Sequence, residues 1–261
     1  VRNCHILRVF TRGDAGGNHL GVVTDLSGLD GVSMQEIAAL LGFSETVFLD
    51  GVGPAAPRAR IFTPTVEIPF AGHPLVGAGW LLGTLGKARR LVCGIGEVPF
   101  RVAGDSAWIE VALAPEVEEA APDAGAASGL PNAVWARMVG LPLRYLLLEV
   151  AAPHMVAEAH PDMAHLSQQH WEGTLLFARR GGEVKARFFA PAAGVPEDPA
   201  TGSAAVALAS ALSHAGEKEG SVVVDQGDEV GAGSRLLVTW GGNQVAVGGQ
   251  VRRDGVRSLP L

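Results

Sequence analysis

Two dipeptides at matching places in the chain, Gly72-His73 and Gly202-Ser203, have the residue types and spacing that most directly suggest chemistry. Each follows a proline-containing turn and opens a helix rich in small residues, and each residue stands 130 positions from its counterpart. The first four amides of a helix lack intrahelical partners and carry about half a positive charge between them, so two facing helix starts make a carboxylate-binding site. Glycine removes the side chain that would block close approach, while His73 and Ser203 add donors at equivalent positions. Taken singly, such glycines serve tight packing and such a histidine is an ordinary structural residue; the pairing singles them out. Glu45 falls between a helix end near Gly42 and a strand from Thr46 to Asp50. A scaffold can hold a working carboxylate in such a link, although a solvated loop acid has the same local sequence.

The elements that must position these groups are mostly strands. Short β-rich runs bounded by turn residues are predicted at Cys4 to Phe10, Leu20 to Thr24, Thr46 to Asp50, Ala59 to Phe62, Leu91 to Cys93 and Trp108 to Val111. Ser33 to Glu36 reads as a capping box that starts a helix ending near Gly42. Pro115 to Pro131 lacks periodicity and reads as the connection between two folded halves. Beyond it a short helix is predicted at Ala133 to Val139, followed by strands at Tyr145 to Val150, His154 to Glu158, Thr174 to Ala178 and Val184 to Phe189. After a long apolar helix, strands return at Ser221 to Val224, Leu236 to Trp240 and Gln244 to Val247. Arg60-Ile61-Phe62-Thr63-Pro64 resembles Arg187-Phe188-Phe189-Ala190-Pro191, each leading to one of the glycine-rich helix starts. Neither helix carries a charged residue, so each is expected to be buried, with the strands of its half wrapped around it. The expected fold is therefore α+β: two pseudo-symmetric lobes, residues 1–115 and 116–249, with the site in the cleft between them. Strand 250–261 is available to complete the first lobe.

Composition narrows the function. The chain has 261 residues, 48% of them hydrophobic, enough for a sizeable core. With 27 acidic against 20 basic residues the net charge is −7, which disfavours nucleic acid as a partner. No run reaches the roughly 20 apolar residues of a membrane-spanning helix and no secretory signal is legible, so no membrane is expected and a cytoplasmic location is. Cys4 and Cys93 read as buried free thiols, and neither a disulfide scaffold nor a metal site is expected. His160, His165 and His170 recur at fives, about 140° apart on a helix and so off any common metal-binding face. Trp80 reads as core, and Gly181-Gly182 and Gly241-Gly242 as turns.

Phe62-Thr63-Pro64-Thr65-Val66-Glu67-Ile68-Pro69-Phe70-Ala71-Gly72-His73-Pro74 resembles the first signature block of the PhzF-like isomerases of phenazine biosynthesis. Ser44-Glu45-Thr46 resembles their catalytic segment, Gly194 to Ala205 their second block, and Gly17-Asn18 the Gly-Asn near their first strand. The resemblance implies a diaminopimelate-epimerase-like fold, no cofactor and a homodimer. It implies Glu45 as a single acid and base that moves a proton between carbons of a small carboxylated metabolite. Burial raises a carboxylate pKa, which suits that task. It further implies that Gly72, His73, Thr201, Gly202 and Ser203 bind the substrate, that Asp198 orients an amino or hydroxyl group, and that Asn18 lines the same cleft. Asp198 could instead only cap the helix that follows it.

Ala71 and Thr201 stand where the related epimerases carry cysteines, which excludes two-thiol racemisation at those positions. His19 replaces a usual proline and Gly231-Ala232-Gly233-Ser234 a common Gly-Arg-Pro-Ser, two changes expected to alter the rim of the site. Two other readings stay open: epimerisation of an amino-acid derivative with Glu45 and Asp198 as opposed groups, and a non-catalytic carboxylate-binding protein.

Overall fold

A computed structural model describes residues 2–53, 55–114 and 116–259. In chain order its elements are β1 (Arg2–Thr11), β2 (Asn18–Val23), α1 (Gly31–Leu41), β3 (Glu45–Asp50), β4 (Arg58–Phe62), β5 (Glu67–Ile68), α2 (Gly72–Thr84), β6 (Arg90–Cys93), β7 (Gly96–Ala103), β8 (Ser106–Ala112) and β9 (Glu116–Glu119). Then follow β10 (Trp135–Gly140), β11 (Arg144–Glu149), α3 (Pro153–Ala157), α4 (Met163–Leu166), β12 (Gly173–Arg180), β13 (Glu183–Ala190), β14 (Val195–Asp198), α5 (Gly202–His214), β15 (Gly220–Gln226), β16 (Ser234–Gly241) and β17 (Gln244–Leu259). The fold is a sheet-rich α+β arrangement with few helices. Among the described residues no helix is long and apolar enough to cross a membrane.

Pairing is mostly antiparallel, with parallel joins at β2–β3, β4–β6, β11–β12 and β13–β15. The long β17 pairs with β16 and β8 over its first half and with β1 over its second. The two 13-residue helices α2 and α5 are buried along nearly their whole length, as apolar helices without a solvent face must be. Helix α2 packs on β7 and β8, helix α5 on β16 and β17, and residues of both belong to one continuous apolar core. A second cluster, around Trp171, Phe189 and Leu148, underlies α3 and α4.

Four expectations need correction. The N-cap of α1 is Asp30, whose Oδ1 accepts from the Ser33 amide at 2.8 Å, so Ser33 is a donor inside the first turn rather than the cap. Residues 135–140 form β10 instead of a helix, because β9 and β11 offer ladder partners on both sides. Residues 153–157 form the short helix α3 instead of a strand, with Pro153 preset at its first position. Of the expected connection from Pro115 to Pro131, Pro115 lies outside the described residues, whereas Glu116–Glu119 is a paired strand. Residues 260 and 261 of the expected final strand also lie outside the described residues.

Candidate active site

Local structure delivers three carboxylate and amide groups to one place. Helix α1 stops at Gly42, whose φ of 66° is the left-handed conformation that glycine adopts without a Cβ penalty. Three residues on, Glu45 opens β3, which runs parallel to β2 with Leu20 opposite Glu45. Asn18, the first residue of β2, therefore lies beside Ser44 and Glu45, and Ser44 Oγ is 3.1 Å from Asn18 Oδ1. From the other part of the chain, β14 ends at Asp198 just before α5.

Asp198 is buried and fully engaged. Its Oδ1 accepts from Asn18 Nδ2 at 2.8 Å and from Ser44 Oγ at 2.9 Å, and its Oδ2 accepts from Thr201 Oγ1 at 2.6 Å. Gln226 closes this network by donating to the Asp198 carbonyl at 2.7 Å and to Thr201 Oγ1 at 3.0 Å. Burial raises the Asp198 pKa to about 6, against the pull of those three hydrogen bonds. The N-cap position of α5 belongs to Thr201, which makes no side-chain cap bond, so Asp198 is not acting as the cap.

Glu45 has no such support. Among the described residues its Oε2 is shielded from solvent without a hydrogen-bond partner, and it lies 3.4 Å from His73 Nδ1. Burial, and next the charge of Asp198, push its pKa well above the usual carboxylate range. His73 is no counter-charge: burial lowers its pKa to about 3, so the imidazole is neutral. Asn18 Nδ2 approaches the same Nδ1 at 3.3 Å. The contact between Glu45 and His73 is thus between two neutral groups whenever Glu45 holds its proton.

The starts of α2 and α5 touch. A Cβ built on Gly72 would lie 2.5 Å from the carbonyl carbon of Gly202, and one on Gly202 would lie 2.8 Å from the Cα of Gly72. The close approach that glycine permits is therefore helix to helix. Neither α2, capped by Ala71, nor α5 receives a side-chain cap bond, so no side chain at the cap competes for their first amides.

Beside this junction lies a cavity of about 200 Å³. Glu45, Asp198, Thr201 and Ser203 line it, whereas Asn18, Gly72, His73 and Gly202 are not among its lining residues. The rest of the lining is mainly apolar, including Val66, Ile68, Phe70, Leu143, Phe188 and Val195, and among the described residues it holds no Lys, Arg or His. Sequence reasoning missed Tyr145 and Glu172 in the lining, and Ser44 and Gln226 in the supporting network. Ser44 stands in the Ser44-Glu45-Thr46 segment, but no local pattern marks the others: Tyr145 sits in an ordinary apolar strand and Gln226 acts from a strand 25 residues after Thr201.

Neither departure from the family pattern is among the residues that line this cavity. His19 is half exposed and stacks on Phe43 with ring centroids 5.4 Å apart. The Gly231–Ser234 turn is held by Arg12, which donates to the Ser234 carbonyl and to Asp228.

The family model described as phenazine biosynthesis-like protein matches residues 7–252. The chain belongs to that family. Among relatives of the phenazine biosynthesis-like family, a trans-2,3-dihydro-3-hydroxyanthranilate isomerase of Pseudomonas chlororaphis is 31% identical over 249 residues, covering 89% of this chain and 88% of that protein. A solved predicted epimerase from Pseudomonas aeruginosa is 33% identical with a TM-score of 0.81, covering 99% of each chain. A probable proline racemase from Agrobacterium radiobacter, 10% identical, covers 100% of this chain and 93% of its own at a TM-score of 0.71, a likeness of fold alone. Membership of the phenazine biosynthesis-like family, through relatives that are themselves isomerases, makes this chain an isomerase.

Proposed function

We propose that this isomerase moves a proton between carbons of a small amino- or hydroxy-bearing carboxylate without a cofactor, with Glu45 as both base and acid. The observation that carries this is the state of Glu45: an unpaired carboxyl with a raised pKa, on the wall of a mainly apolar cavity, beside two touching uncapped helix starts. The helix amides at Gly72 to His73 and at Gly202 to Ser203 would take the substrate carboxylate and stabilise negative charge that grows as a proton leaves carbon. Glu45 would accept that proton and return it to a second carbon on the same face. Asp198, largely ionised near neutral pH, would orient an amino or hydroxyl group. We place this site in the cleft between two lobes, each wrapped around α2 or α5 and related by a pseudo-twofold, with residues 1–115 in the first and 116–249 in the second.

Epimerisation needs a second free base opposite Glu45, and Asp198 is poorly placed for that because both its oxygens already accept hydrogen bonds. Proton movement is tested by deuterium incorporation from heavy water into substrate. Glu45→Gln should lose roughly 10²- to 10⁴-fold of the rate, the usual contribution of a positioned acid–base group. Full activity in that variant would reject the reading, and the product's stereochemistry separates isomerisation from epimerisation.

A further inference from the structure

We propose that Tyr145 is a positioning residue for the substrate carboxylate, forming with Ser203 a two-hydroxyl relay that turns one neutral O–H toward an anionic oxygen at the start of α5. The inference rests on the carboxylate-binding reading of the helix starts and adds the donor that completes it.

Tyr145 lies near the start of β11, opposite Gly173 in the parallel ladder with β12. Its ring is fixed edge-on against Phe188, with centroids 5.2 Å apart at 87°. A side chain at Gly173 would overlap the Phe188 ring, so that glycine makes room for the pair. The phenol oxygen lies 3.0 Å from Ser203 Oγ, both groups are buried, and both residues line the cavity.

Counting protons gives the direction. Two hydroxyls bring two protons, and their mutual bond uses one. Among the described residues neither oxygen has another hydrogen-bond partner, so the second proton faces the cavity. A phenol is a stronger donor than an alcohol, so Tyr145 donates to Ser203 Oγ and the Ser203 proton is left for the ligand. Burial pushes the Tyr145 pKa upward by more than the bond to Ser203 pulls it down, and the negative charge of Asp198 adds to the rise, so the phenol stays protonated and remains a donor. With no Lys, Arg or His in the described lining, neutral donors and helix amides must hold the anion, and fixing the Ser203 hydroxyl saves the ligand from ordering it.

The test uses the full chain and a panel of 3-hydroxyanthranilate, anthranilate and benzoate, with binding read by calorimetry. Tyr145→Phe keeps the ring packing and should weaken binding of any panel member that the wild type binds by roughly three- to tenfold. In turnover the change should fall on KM, with kcat within about twofold. Ser203→Ala should weaken binding at least as much, and adding Tyr145→Phe to it should then change nothing further. Because the chain has one tyrosine, carbon-13 at its Cζ gives a single resonance, which should move on ligand addition in the wild type and not in Ser203→Ala. Additive losses in the double variant, or a resonance indifferent to ligand, would overturn the relay while leaving carboxylate binding intact. Failure of the wild type to bind any of the three acids would overturn the carboxylate reading and the relay together.

Discussion

At the scale of single residues the site depends on an unequal pair of carboxyls. Asp198 is supported by three donors and, among the described residues, Glu45 by none, so of the two Asp198 is the better able to carry negative charge and Glu45 the better able to hold a proton. Proton abstraction needs ionised Glu45, so kcat/KM should rise with pH along a limb above the ordinary carboxylate range. Asp198→Asn removes the neighbouring charge and should move that limb downward in a pH–rate profile. The same elevation costs stability. Between the ordinary glutamate range and its raised folded value, the folded state keeps a proton that the unfolded chain has lost, so stability falls as pH rises across that window. Below the window both states are protonated and the effect vanishes. Glu45→Gln should therefore melt higher than the wild type at pH 8, by roughly 2–4 °C per kcal/mol recovered, with the gap closing toward pH 4. Scanning calorimetry at several pH values checks this; a gap independent of pH would contradict the assigned burial. Asp198 was nameable from the sequence only through its motif block, and Glu45 through its block and its place between a helix end and a strand. Tyr145 was not, because its role depends on a hydroxyl 58 residues away.

At the scale of elements, the junction of α2 and α5 decides whether the site exists. Their helical character and burial were legible because glycine, alanine and leucine runs without charge have no other stable location. The contact between the two starts was legible only as a matched pair of glycines. Its use for helix-to-helix approach needed coordinates. Gly72→Ala would drive a Cβ into the Gly202 backbone, which cannot rotate aside as a flexible side chain could. Overpacking of this kind costs typically 1–3 kcal/mol, and it would also part the two sets of amides. We expect a lower melting temperature together with a loss of carboxylate affinity greater than stability alone explains, measured by calorimetry at a temperature where the variant is still folded. Unchanged affinity would mean that the amides do not act jointly. The elements misread from sequence, β10 and α3, are short segments whose state is set by neighbours: β10 by two flanking strands, and α3 by Arg187, which donates to the carbonyls of Val156, Ala157 and Ala159.

At the scale of the whole molecule, the ends of the described chain hold the site from behind. Residues 250–259 of β17 pair with β1, and β1 pairs on its other edge with β2, whose first residue is Asn18. Leu259, at the end of β17, is buried with Cys4, Val23, Phe48 and Phe62 in a cluster that also seats Ile37 and Leu41 of α1. That cluster fixes α1, and α1 fixes where the chain turns to present Ser44 and Glu45. Nothing local in the sequence reveals this, since Leu259 lies 197 or more residues from every other buried member. Leu259→Ala deletes buried methyls that surrounding strands cannot fully close over, at a cost of roughly 2–5 kcal/mol. It should lower the melting temperature and also the rate, although Leu259 does not line the cavity, because α1 and Glu45 lose their backing together. Hydrogen exchange resolved by segment would show the coupling as faster exchange in both β1 and α1. Faster exchange confined to β17, with turnover unchanged, would show instead that the strand is a covering element and that Glu45 is held from the α2 side alone.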